Sequence, residues 1–202
     1  MKKKNLEILL QKIPEYTKPS PQLEQYITPA GIAADIVFTA YQFNDIENKK
    51  IVDLGCGTGI FSVAAKILGA EKVIGFDIDK DIINIAKEYA EDNNYDIDFY
   101  NKRIQDIQEE CDTILMNPPF GAQKSNKNAD RAFLEKAFEI SSVVYSLHLS
   151  KTIPFIEKMI KSMQGEITFY KNFVFPIKHS YDFHDKKTKN FDVTLVRILT
   201  NI

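Results

Sequence analysis

The sequence predicts an α/β fold, a mostly parallel sheet with helices on both faces. Three observations carry that prediction. Short apolar runs alternate with longer runs of helical apolar spacing, the pattern of strands joined by crossover helices. A glycine-rich loop, Asp53-Leu54-Gly55-Cys56-Gly57-Thr58-Gly59, directly follows one apolar run and opens a helical one. The run after that ends in an acid, within Gly75-Phe76-Asp77-Ile78-Asp79.

The elements follow in order. Prolines at 14, 19, 21 and 29 break the early chain, and Ala30–Tyr41 is apolar enough for a helix packed on the sheet. Residues 1–48 are therefore read as an N-terminal cap of a single domain spanning 1–202. Lys50–Leu54 (KIVDL) is a strand, Gly59–Leu68 a helix and Lys72–Phe76 (KVIGF) the next strand. Lys80–Asn93 places Ile82, Ile83, Ile85, Ala86, Tyr89 and Ala90 at helical spacing. Ile97–Tyr100 is a short strand and Thr113–Met116 a strongly apolar one. Arg131–Ile140 sets Phe133, Leu134, Ala137 and Phe138 on one helical face. Ser142–Leu149 is strand-like, and Lys151–Met163 is a helix with Pro154 in its first turn, where a missing N–H costs little. Glu166–Phe173 and Phe191–Leu199 have no helix between them, which fits an antiparallel pair at one sheet edge.

Composition narrows the function classes. The 202 residues are 44% hydrophobic and 27% charged, an ordinary globular balance. No stretch approaches the roughly 20 apolar residues that cross a bilayer. The basic start MKKKNLEILLQKIP has a short apolar run broken by Glu7, so no secretory signal is expected. Two cysteines, Cys56 and Cys111, form no CxxC pair; they fit a reducing, cytoplasmic setting, and no metal site is expected. The net charge of −2 argues against a surface coated with cations for indiscriminate nucleic-acid binding. Local basic groups remain at Lys124 and Lys127 and at Lys186, Lys187 and Lys189.

The glycine loop carries the first chemistry. Glycines there allow tight turning and close backbone approach to a ligand. Asp77, at the end of the following strand, is placed to accept the hydroxyls of a ribose. A dinucleotide sets its pyrophosphate on the helix N-terminus behind a GxGxxG loop, whereas this loop is GxGxG. Asp53 adds negative charge nearby, which disfavours a phosphate and suits a cation. S-adenosylmethionine has a sulfonium, an ammonium and no phosphate, so the residues favour it over NAD.

The second chemistry is Asn117-Pro118-Pro119-Phe120, at the end of the Thr113–Met116 strand. As punctuation, the prolines simply end a strand. As a site, they fix the backbone. The Asn117 amide oxygen and the Pro118 carbonyl then form two rigid acceptors, and Phe120 a stacking face. That set fits a planar amino group such as the exocyclic nitrogen of adenine. Its two hydrogens would be held while the nitrogen is aimed at a methyl group, which is positioning rather than general-base catalysis. A base taken from a duplex would have to be flipped out.

The glycine loop with its downstream acid resembles the class I S-adenosylmethionine-dependent methyltransferases. That resemblance implies a Rossmann-like, seven-stranded sheet with its last strand antiparallel. It also implies a cofactor site drawn from Asp53, Gly55, Cys56, Gly57, Gly59, Asp77 and Ile78. NPPF resembles the signature of methyltransferases acting on planar nitrogens of adenine, guanine or glutamine. Six stretches, LEQYITPAGIAA, VDLGCGTG, GFDID, MNPPFG, VYSLH and YDFHDKKT, follow one another as in the methyltransferase-like family that makes N6-methyladenosine in small-subunit ribosomal RNA. The resemblance implies that Gln25 and Thr28 contact the cofactor, although Thr28 before Pro29 also reads as a helix N-cap. Alignment sets Arg103-Ile104 against the cofactor adenine, while Asp106-Ile107 fits chemically with a shift. Catalysis falls to Asn117, Pro118, Pro119 and Phe120, and RNA contact to Lys124, Lys127, Tyr181, His184, Lys186 and Lys187. Gly121–Asp130 reads equally as a lid or RNA-contacting loop and as a solvated connector. Family members bind a small zinc-containing activator protein, and Asp96–Asn101 is the candidate sheet edge for it. Methylation of a release-factor glutamine and a non-catalytic RNA-binding subunit are the alternative readings.

Overall fold

The computed structural model describes residues 1–16, 24–120, 129–178 and 188–202. The elements in chain order are α1 (Lys3–Leu10), α2 (Ala30–Gln42), β1 (Lys50–Leu54), α3 (Ile60–Ile67), β2 (Lys72–Asp77), α4 (Lys80–Asp92) and β3 (Asp98–Asn101). They continue with β4 (Cys111–Met116), α5 (Ala129–Ile140), β5 (Ser141–Leu149), α6 (Ile153–Ser162), β6 (Glu166–Lys178) and β7 (Thr188–Leu199). The seven strands form one sheet in the order β3-β2-β1-β4-β5-β7-β6. β1 to β5 run parallel. β7 is antiparallel to both of its neighbours. This is the Rossmann-like class I arrangement that the sequence implied.

Strand composition follows from burial on both faces. Ile51, Leu115, Tyr145 and Leu147 pack under α1, α2 and α3 with Leu6, Leu10, Val37, Phe61 and Ala64. Val52, Leu54, Ile114, Met116, Val144 and Val196 pack on the opposite side with Leu134, Ala137, Ile156 and Ile160 from α5 and α6. A smaller cluster joins Ile83, Ala86 and Ala90 of α4 to Phe99 and Cys56. None of the described helices is long and apolar enough to cross a membrane.

The helix ends have local causes. Asp79 caps α4, its carboxylate accepting from the N–H groups of Asp81 and Ile82 at 2.9 and 3.4 Å. Pro154 sits at the start of α6, as expected. One element is added to the sequence reading and two expectations are corrected. The basic start forms α1, whose Leu6 and Leu10, one turn apart, are fully buried. β6 runs beyond Phe173 to Lys178, through Pro176. It lies at the sheet edge, where proline is tolerated because one side of the strand has no ladder to break. Thr28 does not cap α2; the cap position is Pro29, with no side-chain cap bond.

The strand order reverses between β1 and its two neighbours, β2 and β4. In open α/β sheets a crevice opens beyond the carboxyl ends of the strands at such a switch point. Register puts Leu54 beside both Phe76 and Met116, so the glycine loop, Asp77 and Asn117 emerge at one rim.

Candidate active site

The glycine loop is clamped to the end of β2. The N–H groups of Gly55 and Cys56 both donate to the Phe76 carbonyl, at 2.8 and 3.0 Å. Asp77 then gathers the loop: one carboxylate oxygen accepts from Gly57 N at 2.9 Å and the other from Asp79 N at 3.0 Å. Burial raises the Asp77 pKa, against the pull of those N–H groups. Gly55, Gly57 and Gly59 all have positive φ, of 70°, 55° and 88°. They differ in what faces them. A Cβ on Gly57 would meet open space, whereas one on Gly59 would lie 2.8 Å from the Phe99 ring. The close approach at Gly59 is therefore to a phenyl side chain and not to the cavity.

Asp53 also differs from expectation. It does not line the cavity. Its carboxylate is fully buried and accepts from the N–H and hydroxyl of Ser62, at 3.0 and 2.7 Å, in the first turn of α3. Burial pushes its pKa up to about 7, the Ser62 bonds opposing and the charge of Asp77 adding. Its second oxygen is buried with no hydrogen-bond partner among the described residues.

Residues 24–28 cross the rim between the two motifs. Gln25 Nε2 donates to Asp79 Oδ2 at 2.7 Å. The Tyr26 ring stacks on Phe120, with centroids 5.9 Å apart and planes at 22°. Thr28 is buried, and its hydroxyl accepts from Asn117 Nδ2 at 3.1 Å. The other end of that amide, Asn117 Oδ1, is buried and has no hydrogen-bond partner among the described residues. Buried acceptors are normally satisfied, so an orphaned one in a cavity wall calls for an explanation.

The cavity beneath this crossing has a volume of about 670 Å³. It takes Gln25, Tyr26 and Thr28 from the crossing segment, and Gly55, Cys56 and Gly57 from the loop. Asp77, Ile78, Arg103, Ile104, Asn117 and Pro119 also line it. Of the shifted pair, Ile107 lines the wall and Asp106 does not. Pro118 and Phe120 do not line this cavity; Phe120 is stacked with Tyr26 and meets Phe175 edge-on at 6.0 Å. The phenyl face expected to be open is thus partly occupied. The VYSLH segment lies in β5, where the buried Ser146 and His148 side chains bond each other at 2.8 Å, and burial lowers the His148 pKa to about 3. Lys124, Lys127, Tyr181, His184, Lys186 and Lys187 lie outside the described residues.

Several wall residues had no sequence signal. Leu10, Ile13 and Tyr16 arrive with α1 and the chain after it. Phe133 arrives from α5, and a Cβ on Gly55 would lie 3.1 Å from its ring. Tyr26 was legible only as part of LEQYIT, because its partner lies far along the chain.

Comparison with known proteins points the same way. The family model for the methyltransferase small domain matches residues 33–142. The rRNA N(6)-adenosine-methyltransferase METTL5 of Danio rerio is 36% identical, over 98% of this chain and 98% of that protein. The corresponding Drosophila melanogaster protein is 34% identical, over 98% and 96%. The crystal structure of a candidate RNA methyltransferase from Pyrococcus horikoshii superposes with a TM-score of 0.92 at 36% identity, over 100% of this chain and 99% of that one.

Proposed function

The chain belongs to the methyltransferase small domain family, and we propose that it transfers a methyl group from S-adenosylmethionine to N6 of an adenosine in small-subunit ribosomal RNA. The observation that carries this reading is the Asn117 amide: its nitrogen is held by Thr28, and its oxygen is a buried acceptor without a partner among the described residues. The wall fits the donor. The cavity of about 670 Å³ has room for a nucleoside with an amino-acid arm, Asp77 supplies an acid, and Gly57 leaves open space at the loop.

S-adenosylmethionine, when bound, supplies an electrophilic methyl group on a sulfonium. The residues proposed to hold it are Gln25, Thr28, Gly55, Cys56, Gly57, Asp77, Ile78, Arg103 and Ile104, all in the cavity wall. Asp53 and Gly59 act from behind, fixing α3 and seating Phe99. The Asn117 oxygen and the Pro118 carbonyl accept the two hydrogens of the target amine, and Pro118 and Pro119 stiffen the corner. An amine held this way keeps its lone pair directed and loses one proton after methylation, so no strong base is required. Phe120, braced by Tyr26 and Phe175, walls the base side. Lys124, Lys127, Tyr181, His184, Lys186 and Lys187 are the proposed RNA contacts.

The same proposal includes a cytoplasmic location and a small zinc-containing activator protein pairing with the sheet edge near Asp96–Asn101. Support comes from β3 being an edge strand with Tyr100 45% exposed. Such an edge is a natural place for strand addition. Two experiments test the reading. Calorimetry should show S-adenosylmethionine binding and no NAD binding. Labelled methyl transfer, with and without the activator, should mark deproteinised ribosomal RNA; label in release-factor glutamine and none in RNA would reverse it.

A further inference from the structure

We infer that Thr28 is a positioning residue for the reaction: its hydroxyl takes one hydrogen of the Asn117 amide and leaves the amide oxygen as the group offered to the incoming amine. This rests on the reading of Asn117 as the acceptor of that amine.

An Asn side chain has two ends of nearly equal shape and opposite hydrogen-bonding character. Turned one way it offers an acceptor, turned the other way two donors. A target amine is itself a donor, so only the first orientation binds it. The backbone of the Pro118-Pro119 corner fixes where the Asn117 chain leaves β4 but leaves its terminal torsion free. Thr28 supplies the missing constraint: Asn117 Nδ2 donates to its hydroxyl at 3.1 Å, and Oδ1 is left without a partner among the described residues. Thr28 is itself held. It is 6% exposed and precedes Pro29, which restricts its backbone. The segment that carries it is tied down by Gln25 on Asp79 and Tyr26 on Phe120. Thr28 makes no cap bond to α2, whose cap position is Pro29.

The test uses the full chain with Thr28→Val, which keeps the shape and removes the acceptor, and Thr28→Ser, which keeps the hydroxyl. Thr28→Val should lower kcat about tenfold or more. The loss of rate should persist at saturating S-adenosylmethionine, and Thr28→Ser should restore most of it. In an Asn117→Ala background, read by single-turnover labelling, Thr28→Val should cost nothing further. An equal cost in both backgrounds, or a loss confined to donor binding, would overturn the inference. A second readout needs no substrate. In NMR of the labelled protein, one Asn117 side-chain N–H should be protected from exchange in the wild type and both exposed in Thr28→Val. Unchanged protection overturns the inference. A wild type that shows this protection yet never methylates RNA overturns the proposed function and leaves the role of Thr28 standing.

Discussion

Asn117→Ala separates activity from stability. The substitution removes one bond, from Asn117 Nδ2 to Thr28, with an ordinary net worth of about 1 kcal/mol. It also removes a buried acceptor that has no partner among the described residues, which relieves a penalty of about 1–3 kcal/mol. The difference is between zero and about 2 kcal/mol in the variant's favour, so the folded state should lose no stability. For a chain of this size about 1 kcal/mol moves Tm by roughly 2–4 °C, so Tm should hold or rise by up to about 8 °C. The rate should behave differently. A preorganised group acting on the reacting centre is worth about 10²–10³ in rate, or about 3–4 kcal/mol. The assay is single-turnover methyl transfer at saturating donor, beside calorimetry and a thermal melt of the same preparation. Wild-type turnover would return NPPF to the status of a strand terminator. A parallel fall in Tm and rate would make Asn117 a structural residue and refute the reasoning.

Three further outcomes follow from the same geometry. Asp77→Ala should weaken S-adenosylmethionine binding about ten- to hundredfold by calorimetry, since hydrogen bonds to a charged acceptor contribute about 1.5–3 kcal/mol; unchanged affinity would remove Asp77 from the donor site. Gly59→Ala forces a side chain into a φ of 88° and a Cβ to 2.8 Å from Phe99, so it should cost at least about 2 kcal/mol in denaturant unfolding, and a neutral result would contradict the packing described. Asp53 has a folded pKa of about 7, above its unfolded value near 3.8. Its contribution to stability is therefore full below about pH 4 and lost as pH rises through 7, at up to about 1.4 kcal/mol per pH unit. Asp53→Asn should gain on the wild type in melts taken across that window, and parallel curves would refute the buried titration.

Much of the site was legible because its signals are local. Strand, glycine loop, helix, strand and acid follow one another within Lys50–Asp79, and the apolar run before Asn117 marks the next strand in the same way. What was missed depends on contacts across the chain. Asp53 sits beside the loop in sequence, yet strand alternation turns it to the face of Ile51, toward Ser62 of α3. The three loop glycines look alike as letters, and only Phe99, arriving from β3, separates Gly59 from Gly57. Phe120 reads as an open ring until Tyr26 folds onto it. α1 escaped because its eight residues, three of them before the first buried position, are too few for an apolar period to show. The sequence-based strand stops at Phe173, short of Pro176, although it is already read as one of an antiparallel pair at a sheet edge, where a proline is tolerated.

The measurement that bears most directly on the central claim is nucleoside analysis of small-subunit ribosomal RNA after incubation with the full chain and isotope-labelled S-adenosylmethionine. The account predicts labelled N6-methyladenosine as the product, formed by the wild type and about a hundredfold or more slowly by Asn117→Ala. Label on another base, or equal label from both proteins, would contradict it.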